Sequence, residues 1–373
     1  MEQGSKRWFG GKGGGKSTPG QDGKAAPSPA SPAARTAKAE ARAGGPTDAG
    51  DVPPPRELSA EDSELQQTLT RVLASRCDVL MRAAGAETKQ SDASLVIDCL
   101  RQLDETVIRQ PPIAAQRALA VARNPMSSSS QLVDIFEQDP ALTEALLQMA
   151  NSSFYHRGNQ PCIGISEAIQ RVGVRGIEAI VTTNMVEGLL CRPGGAYATL
   201  LTQVWAHMTR TAPLARTLSR PFAASPETAF TVGLLHDVGK LMIFDYLSQL
   251  RARKRREIKV PERFLLDMLN RLHEPLGGIA ALRWNLGAEA ARSIAWHHHD
   301  PPPETPDSLS ELLCVAERVD HSIRLGKAVD IWKIWREGEL STDAHEVLAL
   351  VREIPGVMIS GPDGSKAVPS KAA

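Results

Sequence analysis

The sequence predicts an all-α fold, a helical bundle, on three observations. Apolar residues recur at helical spacing through most of the chain, no run alternates convincingly at period two, and several segments open on helix-start chemistry. Helical period begins at Leu58. Ser59-x-x-Asp62 is a capping signal, and Leu65, Leu69, Val72, Leu73, Val79 and Leu80 follow at helical spacing. A second helix is expected over about Asp92 to Val107. This extension, 58–107, can pack on the main domain or meet a partner, and its sequence does not choose between them.

Residues 108–182 read as short helices joined by tight turns. Pro111-Pro112 precedes a helix over 113–123, and the serines 127–130 supply an N-cap for 130–137. Asp139-Pro140 starts a helix over 140–151, with proline in the first turn where it is tolerated. Ser166 leads into a helix broken at Gly173. Further on, helices are expected over 241–250, 262–272, Leu276–Trp284 and Leu312–Val319. A main domain is thus drawn over 108–325. Two amphipathic C-terminal helices follow within 326–359, built on Ile331, Trp332, Ile334, Trp335, Leu340, Val347, Leu348, Leu350 and Val351. Residues 360–373 return to Gly, Pro, Lys and Ser and read as a flexible tail.

Composition excludes several classes. Lys+Arg and Asp+Glu balance at 43 each, so no global charge argues for nucleic acid or an acidic membrane surface. The hydrophobic fraction, 42%, is that of a soluble globular protein, and no apolar run is long enough to span a bilayer. The N-terminus lacks the apolar core of a signal peptide. Cys77, Cys99, Cys162, Cys191 and Cys314 are odd in number and scattered, which suits a reducing compartment and a cytoplasmic location. Residues 1–57, rich in Gly, Pro, Ala, Ser and Lys, should be disordered. Within them Gly10-Gly11-Lys12-Gly13-Gly14-Gly15-Lys16-Ser17 matches the phosphate-loop pattern letter for letter. That loop works only between a buried strand and a helix. No strand pattern precedes it, and Thr18-Pro19-Gly20 stand where the helix should run, so the segment reads as a basic tail.

The stretch Gly233-Leu234-Leu235-His236-Asp237-Val238-Gly239-Lys240-Leu241-Met242-Ile243 sets the chemical question. It is the most buried-looking part of the chain, yet it holds an imidazole, a carboxylate and an ammonium. Burying such groups unpaired costs several kcal/mol, so a hydrogen-bonded network or a metal is expected to compensate. On a helix, adjacent side chains diverge by about 100°, so both His236 and Asp237 reach one metal only if that helix meets the cavity head-on. Gly239 allows another backbone to come close.

The wording around this stretch resembles the HDOD domain, the HD-related output domain of the HD superfamily. The residues carrying the resemblance are Asp139-Pro140-Ala141-Leu142-Thr143, Leu147-x-x-Ala150-Asn151-Ser152-Ser153, Ile165-Ser166-Glu167-Ala168-Ile169 with Val172-Gly173, and His236-Asp237-Val238-Gly239-Lys240. Leu276-Gly277-Gly278, Trp284 and Ile294-x-x-His297-His298 complete it, over about 108–305. The resemblance implies an HD-superfamily-like helical bundle and a role in bacterial signal transduction, without by itself implying a reaction. It also implies an ordered ligand set: His207, His236-Asp237, His273, His297-His298, and Glu317 where the superfamily carries an aspartate. Counting from Asp300-Pro301 instead selects His298-His299, so the choice among the three histidines stays open. Asp320 is a weaker substitute for Glu317 on a neighbouring face. Lys240 resembles a lysine positioned to neutralise phosphate.

Each residue has a plainer reading. His207 can be a half-buried histidine on a carbonyl, its helix kinked by Pro213. His273 can lie on the surface after the 262–272 helix, and the tandem histidines can end a helix where its dipole favours them. As a set, they argue for one or two divalent ions (Fe, Mn, Zn or Co). The stretch after the histidines, Asp300-Pro301-Pro302-Pro303-Glu304, lacks the glycine-tyrosine-proline signature of related cyclic di-GMP phosphodiesterases. The expected function is therefore a signalling output module acting on a protein partner, without turnover. The alternative is a metal-dependent phosphohydrolase acting on a nucleotide or cyclic dinucleotide. The basic run 251–256 reads as a solvated loop, since no aromatic residues interleave with it to stack on bases.

Overall fold

Fifteen α-helices make up most of the described residues of the computed structural model, which are 58–103, 107–109, 112–124, 126–152, 154–155, 161–190, 197–298, 307–360 and 368–369. The 1–57 tail with its phosphate-loop look-alike, His299, and most of 360–373 fall outside them. In order the helices are α1 (Ala60–Ala83), α2 (Ala86–Lys89), α3 (Ala93–Gln102), α4 (Ile113–Arg123), α5 (Ser129–Gln138), α6 (Pro140–Ala150) and α7 (Ile165–Leu190). There follow α8 (Ala198–Leu218), α9 (Pro226–Leu235), α10 (Val238–Lys254), α11 (Glu262–Arg283), α12 (Ala288–Ala295), α13 (Ser308–Arg324), α14 (Ile331–Gly338) and α15 (Ala344–Val351). The sole sheet among the described residues is a two-residue antiparallel pairing of β1 (Met358–Ile359) with β2 (Val368–Pro369). The chain is all-α, as its periodicity predicts.

Helix starts follow the local chemistry. Ser59 Oγ accepts from Asp62 N at 3.0 Å. Asp139 Oδ1 caps α6 by accepting from Ala141 N (3.0 Å) and Leu142 N (3.1 Å), with Pro140 in the first turn. Asn151 then pins the connection to α7, its amide accepting from Cys162 N at 2.7 Å and donating to Cys162 O at 2.8 Å. Gly173 breaks α7 with φ 71°, in the left-handed region where glycine is favoured.

Three local expectations change. The helix expected to reach Val107 ends at Gln102, where Leu103 turns left-handed at φ 49°. The basic run is mostly helical: Arg251, Arg253 and Lys254 form the last turn of α10, where the dipole favours cations, and Arg256 pairs with Asp92 at 2.6 Å. The two helices expected over 262–272 and 276–284 are one, α11, running straight through Pro275. Proline offers no N–H to the carbonyl four residues back, Arg271 O. Arg76 of α1 supplies the donor, its Nη1 lying 2.8 Å from that oxygen.

This contact also seats the N-terminal extension. Leu65, Leu69, Leu73, Cys77 and Leu80 form the buried stripe of α1, which packs along α11 and α12. At the other end, α13, α14 and α15 share a core with α8 and α9, built on residues such as Phe222, Leu312, Val319, Ile331 and Val347. Glu311 of α13 fastens it, accepting from Ser341 N (2.9 Å) and Oγ (2.6 Å) and from Thr342 N (3.1 Å).

A buried imidazole and carboxylate centre

Residues from five parts of the chain meet in the interior. His207 comes from the middle of α8, and His273 from α11. His297 and His298 follow α12, and Glu317 and Asp320 lie on α13. His236 and Asp237 do not sit within a helix, as their apolar setting suggests, but in the turn between α9 and α10. Both side chains reach one place, His236 Nε2 lying 3.7 Å from Asp237 Oδ2. Gly239 brings the other half close: a Cβ there would stand 2.1 Å from His273 O, so α10 and α11 touch backbone to backbone. His273, far from being a surface residue, is fully buried. Helix α8 continues unbroken through Pro213 and carries His207 in with it.

Three of the five imidazoles are oriented by backbone oxygen atoms. His236 Nδ1 lies 2.7 Å from Gly233 O, His273 Nδ1 2.7 Å from Leu269 O, and His297 Nδ1 2.7 Å from Ile294 O. A carbonyl can only accept, so each Nδ1 carries the hydrogen, and a neutral ring then has a bare lone pair at Nε2. The remaining two rings use carboxylates: His207 Nδ1 is 2.7 Å from Asp320 Oδ2, and His298 Nδ1 is 2.9 Å from Glu317 Oε2. All five Nε2 atoms face inward. His207 and His236 approach Nε2 to Nε2 at 3.0 Å, His273 and His298 at 3.0 Å, and His273 and His297 at 3.4 Å. Nitrogens this close need a hydrogen or a cation between them.

Asp237 stands between the two groups. Its Oδ2 is 3.8 Å from His207 Nε2 and 3.7 Å from His236 Nε2. Its Oδ1 is 3.5 Å from His273 Nε2 and 3.9 Å from His297 Nε2. Lys240 Nζ donates to Oδ2 at 2.8 Å. It also lies 2.6 Å from Oδ1, outside hydrogen-bond angles, and Oδ1 has no hydrogen-bond partner among the described residues. Two donor groups able to hold an ion result, His207–His236–Asp237 and His273–His297–His298, with Asp237 reaching both. Imidazole and carboxylate donors in this number suit a divalent transition metal.

The electrostatics favour neutral rings at His236, His273 and His297. Burial pushes His236 down to about 4, and burial, reinforced by Lys240 at His273 and by His298 at His297, holds those two rings well below the usual histidine range. Burial alone would raise the Asp237 carboxyl, but Lys240, then His236, His273 and His207, outweigh it and hold it well below. At His298 burial is outweighed by Glu317, which raises the ring.

Every described candidate residue named from the sequence falls in or beside this centre, though two stand one step back. Glu317 bonds His298 Nδ1, and its charge is also felt at His297 and His236; Lys240, only 3% exposed, is engaged with Asp237 rather than open to a phosphate. His297 and His298 both reach the centre, and His299 lies outside the described residues. Asp320, ranked behind Glu317, proves to be the partner of His207, and Arg210 Nε holds its other oxygen at 3.0 Å. Its place three residues beyond Glu317 was the available signal.

Residues 108–300, more than half of the chain, match the HDOD domain family. The chain belongs to the HDOD family. α1 precedes the HDOD match in sequence yet packs into the same core. A Treponema pallidum (strain Nichols) protein described as uncharacterized is 26% identical over 269 residues, covering 70% of this HDOD chain and 49% of that protein. The chain thus spans about half the length of that relative. Two solved Shewanella amazonensis SB2B structures, described as candidate phosphohydrolases, the first of them metal-dependent, share the fold. The first is 19% identical with a TM-score of 0.51, covering 69% of this chain and 88% of its own. The second is 20% identical with a TM-score of 0.51, covering 70% and 94%.

Proposed function

We propose that this HDOD protein is a signalling output module that holds one or two divalent ions (Fe, Mn, Zn or Co) in the buried centre and acts through contact with a protein partner. One observation carries the metal assignment: five imidazole Nε2 atoms and the Asp237 carboxylate converge on one buried place. His207, His236 and Asp237 would hold one ion, and His273, His297, His298 and Asp237 the other. A module without turnover is favoured by enclosure. His236, Asp237, His273 and His297 are fully buried, and Lys240 nearly so, leaving little of the donor set open to a substrate. No helix of the described residues is long and apolar enough to cross a membrane.

The second reading is a metal-dependent phosphohydrolase acting on a nucleotide or cyclic dinucleotide. It is favoured by the carboxylate shared between two donor groups, the arrangement of two-metal hydrolytic sites, where the ions activate water and clamp a phosphate. A screen of phosphomonoesters and cyclic dinucleotides with the metal-loaded protein separates the readings. Turnover abolished by Asp237→Ala establishes the hydrolase, and absence of turnover in a protein that retains its metal supports the module.

A further inference from the structure

We propose that Asp320 and Glu317 are positioning residues that act from behind the imidazoles: each fixes the tautomer of one histidine, and neither ligates a metal. The two nitrogens of an imidazole lie on opposite edges of the ring, so a carboxylate bonded to Nδ1 stands outside a cluster formed by Nε2. Asp320 is in that position on His207 at 2.7 Å, and Glu317 on His298 at 2.9 Å. Asp320 has no oxygen to spare. Oδ2 is on His207, with Arg210 Nη2 at 3.5 Å, and Oδ1 accepts from Arg210 Nε at 3.0 Å. It is 1% exposed, so solvent offers it no other partner.

The division of labour is regular. His236, His273 and His297 take their orienting acceptor from a carbonyl one turn earlier in the chain. His207 and His298 take theirs from α13, three residues apart and so on adjoining faces of one helix. A second consequence, which rests on the metal reading above, is an asymmetry between the two halves. His273, His297, His298 and Asp237 Oδ1 are four donors, enough to close a tetrahedral site. His207, His236 and Asp237 Oδ2 are three, which leaves a position for solvent or a ligand.

The test uses full-length protein labelled with 15N-histidine, in chelator at pH 8.5, with two-bond 1H–15N correlations to read each ring's tautomer. The wild type is expected to show Nδ1–H at His207 and His298. Asp320→Ala is expected to move His207 toward Nε2–H, and Asp320→Asn, whose amide oxygen still accepts, to restore it. Titration with Co2+ supplies the second arm. Asp320→Asn and Glu317→Gln are expected to bind the wild-type number of equivalents about 10–100-fold more weakly, as for partners behind a ligand. Loss of a whole equivalent in either variant would make that carboxylate a ligand and overturn the proposal, as would an unchanged His207 tautomer in Asp320→Ala. Wild-type protein that binds no cobalt overturns the metal reading and the asymmetry, while the tautomers still decide the positioning role. If Asp320→Ala does not fold, the two conservative variants carry both arms.

Discussion

Arg76 and Arg271 are joined across 195 residues by one hydrogen bond, Nη1 to carbonyl oxygen at 2.8 Å, at the oxygen that Pro275 leaves without an amide. The same Nη1 lies 2.9 Å from Glu274 Oε2, whose other oxygen faces His298 N at 3.4 Å. One guanidinium of the N-terminal extension thus serves both the irregular turn of α11 and the backbone of a centre residue.

Arg76→Ala should therefore cost about 3 kcal/mol, since it strands the buried Glu274 carboxylate along with a carbonyl. Urea unfolding of the variant measures it. Arg76→Ala combined with Glu274→Gln should recover part of the loss, because the stranded charge is gone.

Gly239→Ala should be among the most damaging small substitutions. The added carbon would meet His273 O at 2.1 Å, and backbone cannot swing away as a side-chain tip can. A loss of about 3 kcal/mol, the upper end for overpacking, is expected, together with weakened metal binding as α10 and α11 part. Thermal melts with and without added Mn2+ check both.

Asp237→Ala removes the carboxylate paired with the buried Lys240 ammonium, at a cost of about 3–5 kcal/mol. Adding Lys240→Met should recover much of that stability without restoring metal binding. Unfolding and metal titration of the single and double variants separate the two roles of Asp237, ion-pair partner and shared ligand.

Acid should destabilise the metal-free protein before it touches the carboxylates. Unfolded histidines titrate near 6.5, whereas His236 is pushed down to about 4, and His273 and His297 are held well below their usual value. Between these limits the unfolded chain binds protons that the folded rings refuse, so stability falls with pH by up to about 1.4 kcal/mol per unit for each ring. His298, raised by Glu317, contributes with the opposite sign: its stabilisation is present at low pH and is lost as pH rises through its folded value. Asp237, held low, keeps its contribution until pH drops below about 3.9. Three rings against one give a net loss. The urea midpoint in chelator should be lower at pH 5 than at pH 7.5, and a higher midpoint would contradict the three neutral rings.

The helical class and the members of the centre were legible because each leaves a local trace. Periodicity marks the helices, and histidines are few enough that their order along the chain stands out. What stayed hidden depends on distant partners. A pattern reader stops α11 at Pro275 because it cannot see Arg76 replacing the missing donor from another helix. It places His236 and Asp237 in a helix because the apolar run continues past them, although the chain turns there between α9 and α10. In sequence Asp320 looks only like a weaker stand-in for Glu317. Only the packing of α13 against α8 and the histidine turn shows that each serves a different ring.

The central claim is that the inward-facing nitrogens enclose metal. Elemental analysis of protein purified without chelator tests it directly, since sites of this donor number bind tightly. The account predicts about one to two equivalents of Fe, Mn, Zn or Co per chain, lost on Asp237→Ala. Less than about a tenth of an equivalent, in protein that is folded and can be shown not to take up added metal, would contradict it.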